Sequence, residues 1–169
     1  MNIQIGHDTA LVESKKKLIS GTYLHNAWYV AAWSHELPDG KVIGRTFLNE
    51  PVVLYRQGNG EVVALDDRCP HRFAPLSMGQ VLDGNRIQCP YHGLEFNASG
   101  ACVLNPHGNK HISSRLHVKN YPVLEKHNAI WIWMGDKTPD PSKVPDFSVM
   151  DNVPELHSTK RDKIMIKAN

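Results

Sequence analysis

The sequence predicts an all-β domain built from antiparallel sheets, and three features predict it. Short apolar runs of strand length follow one another from residue 26 onward, turn residues separate them, and no helical period comes between them. The runs lie at 28–32, 42–48, 52–56, 61–65, 86–88, 94–97, 101–104, 121–125 and 129–134. Pro38-Asp39-Gly40, Gly58-Asn59-Gly60, Asp83-Gly84-Asn85 and Ala98-Ser99-Gly100 supply the positive-φ positions that tight turns need, so the strands they join are expected to run antiparallel. Without crossover helices a parallel sheet is disfavoured, and a small sandwich or barrel is the expected architecture. In Trp131-Ile132-Trp133-Met134 the alternation puts both tryptophans on one strand face, where core packing is the expected role.

On either side of this region the texture differs. Residues 1–24 read as a leader with a weak amphipathic helical pattern around Lys15-Lys16-Lys17, residues 25–135 as the domain, and residues 136–169 as a Pro-rich linker. The linker ends on Lys163-Ile164-Met165-Ile166-Lys167, which looks like the first strand of a further domain.

The net charge of +2 argues against a nucleic-acid partner or an anionic membrane surface. Neither a signal-peptide core nor a transmembrane run is evident, so a cytoplasmic protein with no membrane partner is expected. Three cysteines, Cys69, Cys89 and Cys102, are too few for a secreted disulfide framework and direct attention to metal or redox chemistry.

The chemistry concentrates in Cys69-Pro70-His71 and Cys89-Pro90-Tyr91-His92-Gly93. Thiolate and imidazole are the ligands that suit zinc or iron–sulfur centres. A zinc finger would group its histidines beside a helix, whereas each pair here mixes one Cys with one His and no helix is evident, which disfavours zinc. The arrangement suits a [2Fe–2S] cluster with Cys69 and Cys89 on one iron and His71 and His92 on the other, the Rieske pattern. Two Fe³⁺, two sulfides and two thiolates sum to zero charge with neutral imidazoles, so such a cluster accepts an electron more readily than a four-thiolate one. The electron is expected on the iron held by the histidines. Pro70 and Pro90 stiffen the loops, and Gly93 lets backbone N–H groups approach the sulfurs.

The two loops, Cys69-Pro-His-Arg-Phe-Ala-Pro-Leu and Cys89-Pro-Tyr-His-Gly-Leu-Glu-Phe, resemble those of Rieske non-haem iron oxygenases. Asn26-Ala-Trp-Tyr-Val-Ala-Ala-Trp, Leu54-Tyr-Arg, Asn105-Pro-His-Gly and Ile130-Trp-Ile-Trp-Met-Gly-Asp extend the likeness to the vanillate and dicamba O-demethylase branch, over about residues 25–150. Arg72 after the first histidine is usual in those oxygenases and less so in small Rieske ferredoxins. The resemblance implies a Rieske-type antiparallel β-sandwich with two cluster-binding loops, acting as the electron-transfer domain of an oxygenase subunit. A reductase or ferredoxin would be the electron donor. The acceptor would be a mononuclear Fe(II) held by two histidines and an aspartate in a catalytic domain. The resemblance also implies a homotrimer for the full-length protein. No such triad is evident around His117, His127 and His157, so this chain alone is expected to transfer electrons only. A free-standing Rieske ferredoxin is the alternative.

Other candidates have plainer readings. Cys102 sits in a strand as a buried hydrophobe; His107 and His111 have a helical metal-pair spacing, but Pro106 and Gly108 make a helix improbable. Asp66 and Asp67 point to opposite faces of a strand end and read as solvated or turn-forming carboxylates. Asn97-Ala98-Ser99 matches a glycosylation sequon that a cytoplasmic protein would not use.

Overall fold

The structure is a computed structural model and describes residues 23–151. The expectations for the leader helix around Lys15–Lys17, for His157 and for the 163–167 strand lie outside the described residues. Eleven strands form three antiparallel sheets, and no α-helix occurs among the described residues.

The first sheet has the order β1-β11-β10, with β1 at Ala27–Trp33, β10 at Val123–Lys126 and β11 at Ala129–Met134. The second runs β2-β3-β4-β9: Val42–Phe47, Glu50–Arg56, Val62–Asp66 and Asn120–Tyr121. The third runs β5-β6-β7-β8, from the short strands Gln80–Leu82, Arg86–Gln88, Glu95–Phe96 and Cys102–Leu104.

The second sheet is the middle layer, and strand alternation explains why both its faces are apolar. Val52, Leu54 and Ala64 face Ala31, Ala32, Ile130, Ile132 and Met134 of the first sheet. Val53, Tyr55, Val63 and Leu65, one residue out of phase, face Leu76, Ile87, Leu94 and Phe96 on the side of the third. At about 1.5–3 kcal/mol for each large apolar side chain fully buried, the first interface holds the first sheet on the middle one and the second fixes how the third sheet sits on it.

The tryptophans of β11 do share a face, the outer one. Trp131 packs there with Ala129, Trp28, Trp33, Leu124 and Val144, and Trp28 meets Trp133 edge-on with ring centroids 5.4 Å apart. Part of the Pro-rich segment lies over this face. The Trp133 indole N–H donates to the Lys137 carbonyl at 2.9 Å, and that of Trp28 to the Asp140 carbonyl at 2.8 Å.

All four anticipated turn motifs contain a positive φ: Gly40, Gly60, Asp83 with Gly84, and Gly100. Three of them close hairpins; the first instead carries the chain from β1 to a strand of another sheet. Two further hairpin turns lie outside those expectations. Leu48-Asn49 and His127-Asn128 each place both residues at φ between 50° and 66°, so β2 ends before Leu48 and β3 begins at Glu50. The run 121–125 is divided at Pro122, whose missing N–H separates β9 from β10.

Candidate metal centre

The same turn is built twice. In the first, Cys69 N–H donates to the Ala74 carbonyl at 2.9 Å and Phe73 N–H returns to the Cys69 carbonyl at 2.8 Å. In the second, Cys89 N–H donates to the Leu94 carbonyl at 2.8 Å and Gly93 N–H to the Cys89 carbonyl at 3.0 Å. Each turn reverses through a left-handed residue, Phe73 at φ 58° and Gly93 at φ 71°. The turns differ in where histidine stands, two residues after the cysteine in one and three in the other.

What holds the turns side by side is a close backbone approach. A Cβ on Gly79 would fall 1.9 Å from the Gln88 carbonyl oxygen, so the chain leaving the first turn lies directly against the peptide that enters Cys89. Asp67 secures the same stretch: its buried carboxylate accepts hydrogen bonds from Ser77 N–H at 2.6 Å and Ser77 Oγ–H at 2.5 Å.

This frame sorts the four predicted ligands by depth. Cys69 and Cys89 are each 2% exposed and belong to the core beside Leu76, Ile87 and Phe96, whereas His71 lies at the surface and His92 is half-buried. Burial pushes the Cys69 thiol up to about 11; the neighbouring Cys89 thiol adds to this, and the His71 and Arg72 N–H groups aimed at the sulfur oppose it. The two imidazoles meet through their Nδ1 atoms at 3.1 Å, with ring centroids 4.7 Å apart. Slight burial and then the nearby His71, His107 and Arg72 charges lower the pKa of His92, favouring the neutral form that can ligate a metal.

The arrangement fits the cluster chemistry. With metal–nitrogen bonds of about 2 Å, two imidazole nitrogens on a single metal stand about 3 to 3.4 Å apart, which the Nδ1 pair satisfies without rearrangement. Among the described residues no three His, Cys, Asp or Glu side chains converge on one point as a mononuclear site requires. The donors come instead as two pairs, thiols inside and imidazoles outside, and that is the division a mixed-ligand binuclear cluster needs.

Other expected candidates fall outside this group. Cys102 is buried, with its sulfur 3.4 Å from the Leu104 carbonyl, and burial raises its pKa. Asp66 pairs with Arg68, but Asp67 is neither solvated nor a turn former: its carboxylate is buried and bonded to Ser77, ten residues on, which their shared strand-end position could not show. The Asn97 side-chain oxygen accepts from Ser99 and Ala101 and caps its own turn. Buried His127 contacts Asp151 at 2.7 Å and Asp146 at 3.5 Å, a proximity that sequence spacing concealed.

Two neighbours of the site were missed. Tyr91 stacks on the His92 ring with centroids 3.9 Å apart, and His107 Nε2 lies 2.7 Å from the His92 carbonyl. Tyr91 stood inside the recognised motif and was legible there; the contact of His107 spans distant sequence and was not.

The chain is 54% identical over 127 residues to the oxygenase component of dicamba O-demethylase from Stenotrophomonas maltophilia, a match covering 75% of this chain and 37% of that protein. It is 42% identical over 128 residues to the vanillate O-demethylase oxygenase subunit of a Pseudomonas species, covering 75% of this chain and 35% of that protein. The chain therefore spans little more than a third of these relatives. A crystal structure of apo dicamba monooxygenase superposes with a TM-score of 0.74 at 52% identity, covering 78% of this chain and 41% of the other. Residues 27–122, which include both turns, match the family described as the Rieske [2Fe-2S] domain. A match over more than half of its length makes this chain a member of that family.

Proposed function

We propose that Cys69 and Cys89 bind one iron of a [2Fe–2S] cluster and His71 and His92 the other, and that the domain relays single electrons to a mononuclear iron site carried on sequence outside this chain. One observation carries the reading: the thiols are sunk in the core while the paired imidazoles reach the surface. The cluster supplies a one-electron couple raised in potential by its neutral ligands. The protein supplies the asymmetry. Buried Cys69 and Cys89 would hold the inner iron and favour its Fe³⁺ state, which would leave the added electron to the outer side held by His71 and His92, where a partner can approach. Exposed Tyr91, stacked on the His92 ring, lies on that side.

The donor in this reading is a reductase or ferredoxin, the full-length protein is a homo-oligomer of the trimeric kind, and the compartment is the cytoplasm, where the thiols stay reduced. Among the described residues no helix is long and apolar enough to cross a membrane. The similarity to O-demethylase oxygenase components supports an oxygenase of that class as the parent activity.

The test is reduction of the purified 169-residue chain followed by iron and sulfide analysis and electron paramagnetic resonance. Two irons and two sulfides per chain, a rhombic reduced signal, and electron uptake from a reductase without substrate-dependent O₂ consumption are expected. A single zinc per chain, or O₂ consumption coupled to substrate by this chain alone, overturns the proposal.

A further inference from the structure

We infer that His107 is a positioning residue for the His92 side of the centre, acting through the backbone of the second turn. The inference rests on the proposed ligand set and deepens it.

A carbonyl oxygen can only accept, so the 2.7 Å contact between His107 Nε2 and the His92 carbonyl requires the proton to be on Nε2. The other end of that peptide unit is also engaged, because Gly93 N–H donates to the Cys89 carbonyl at 3.0 Å. A peptide unit is planar, so holding its C=O from one side and its N–H from the other fixes the plane between His92 and Gly93. It thereby fixes the backbone torsion from which the His92 imidazole is directed.

For such a brace to act, the loop that supplies it must itself be rigid. Pro106 restricts φ next to His107, and the Asn105 side chain accepts from His107 N–H at 3.1 Å and donates to the His111 carbonyl at 2.8 Å. Lys110 N–H closes the turn on the His107 carbonyl at 3.0 Å. Pro106 also packs against the second turn: a Cβ on Gly93 would lie 3.3 Å from its Cγ. The His107 ring meets the His92 ring edge-on at 6.0 Å, on a ring that Tyr91 already stacks against. The residue that spacing offered as one half of a metal pair is therefore committed to the support of a ligand.

The experiment compares His107→Ala and His107→Gln with the parent chain, each loaded with its cluster. Gln retains an N–H donor on a side chain of similar reach. Iron and sulfide content, the g-values of the reduced cluster, the nitrogen hyperfine couplings of the two ligating histidines and the midpoint potential are measured. With His107→Ala, a change in one of the two nitrogen couplings, a shift in the g-values and a shifted potential are expected, with parental values largely restored in His107→Gln. Loss of the cluster in the Ala variant and its retention in the Gln variant carry the same meaning. Parental spectra and potential in both variants overturn the inference, and so does loss of the cluster in both, since the hydrogen bond would then not be what matters. A parent chain holding no [2Fe–2S] cluster overturns the underlying ligand proposal instead, and is read before any variant.

Discussion

Phe73 and Gly93 occupy the same place in the two turns. Each is the fourth residue after a cysteine, each has a left-handed φ, and each returns its N–H to that cysteine's carbonyl. Because one is glycine and the other is not, the same position predicts opposite responses. Gly93→Ala places a Cβ at φ 71° and 3.3 Å from Pro106, at a strain of about 1–2 kcal/mol that the entropic gain of losing a glycine only partly offsets. Phe73→Gly relieves comparable strain, and its ring is 72% exposed, so little packing is lost. Thermal unfolding should show Gly93→Ala several degrees below the parent and Phe73→Gly within about 2 °C of it or above. Equal losses in both would mean that backbone conformation is not what the turns select.

The division between inner thiols and the third cysteine predicts a chemical contrast. Cys89→Ala should lose iron and sulfide together, because the remaining thiol cannot complete one side of the cluster. Cys102→Ala should keep both, since Cys102 approaches the Leu104 carbonyl and packs as a hydrophobe in the core. Retention of full iron by Cys89→Ala with loss from Cys102→Ala would falsify the ligand set.

Gly79 predicts a sharper effect than either turn residue. Its φ is ordinary at −90°, so the constraint is space alone: a methyl group would stand 1.9 Å from the Gln88 carbonyl, and a backbone oxygen has no flexible end to move away. Gly79→Ala must push the first turn's exit away from the entry to Cys89 and separate the two thiols. Iron content well below the parent's is expected, even in preparations whose far-ultraviolet circular dichroism still shows the β-fold. Full iron occupancy in this variant would show that the two turns are held together elsewhere.

These positions also show what the sequence could and could not reveal. The four proposed ligands stand in short motifs with specific chemistry, and the turns at Gly60, Asp83-Gly84 and Gly100 carry the residues that positive φ favours, so both were legible. Leu48-Asn49 was not, because an apolar residue at the end of a β run reads as strand until tertiary pairing forces the reversal. Gln80–Leu82 is too short to show a period and is held by its pairing to Arg86–Gln88. The outer tryptophan face was visible as alternation, but the carbonyls of Lys137 and Asp140 that receive its indoles lie in a stretch whose prolines indicate only irregular chain. His107 and Gly79 share one difficulty. Each acts on a backbone carbonyl remote in sequence, a partner that no side-chain pattern encodes.

The join between the middle sheet and the first depends on pH through one charge pair. Arg56 on β3 makes a two-pronged pair with Glu125 on β10, at 2.9 and 3.0 Å, while its Nε donates to the Leu37 carbonyl at 3.0 Å. The Arg56 hydrogen bonds hold the Glu125 carboxyl below its usual range; partial burial opposes them, and the Ser34 hydroxyl and the Arg56 charge assist. A carboxyl depressed in the folded state stabilises it at pH values above its unfolded pKa, about 4.3, and that contribution is lost as pH falls through the lower folded value. Glu125 is about one-third exposed, so solvent screening limits the pair to about 0.5–1 kcal/mol. Glu125→Gln should therefore unfold about 1–4 °C below the parent at pH 7. The gap should hold down to about pH 5 and close as the pH falls below 4, because the parent loses the charge that the variant never had. Melting curves of both proteins across that range decide the matter. A gap that persists undiminished at pH 3 would mean that the substituted amide disturbs packing, and that the charge pair is not what joins the sheets.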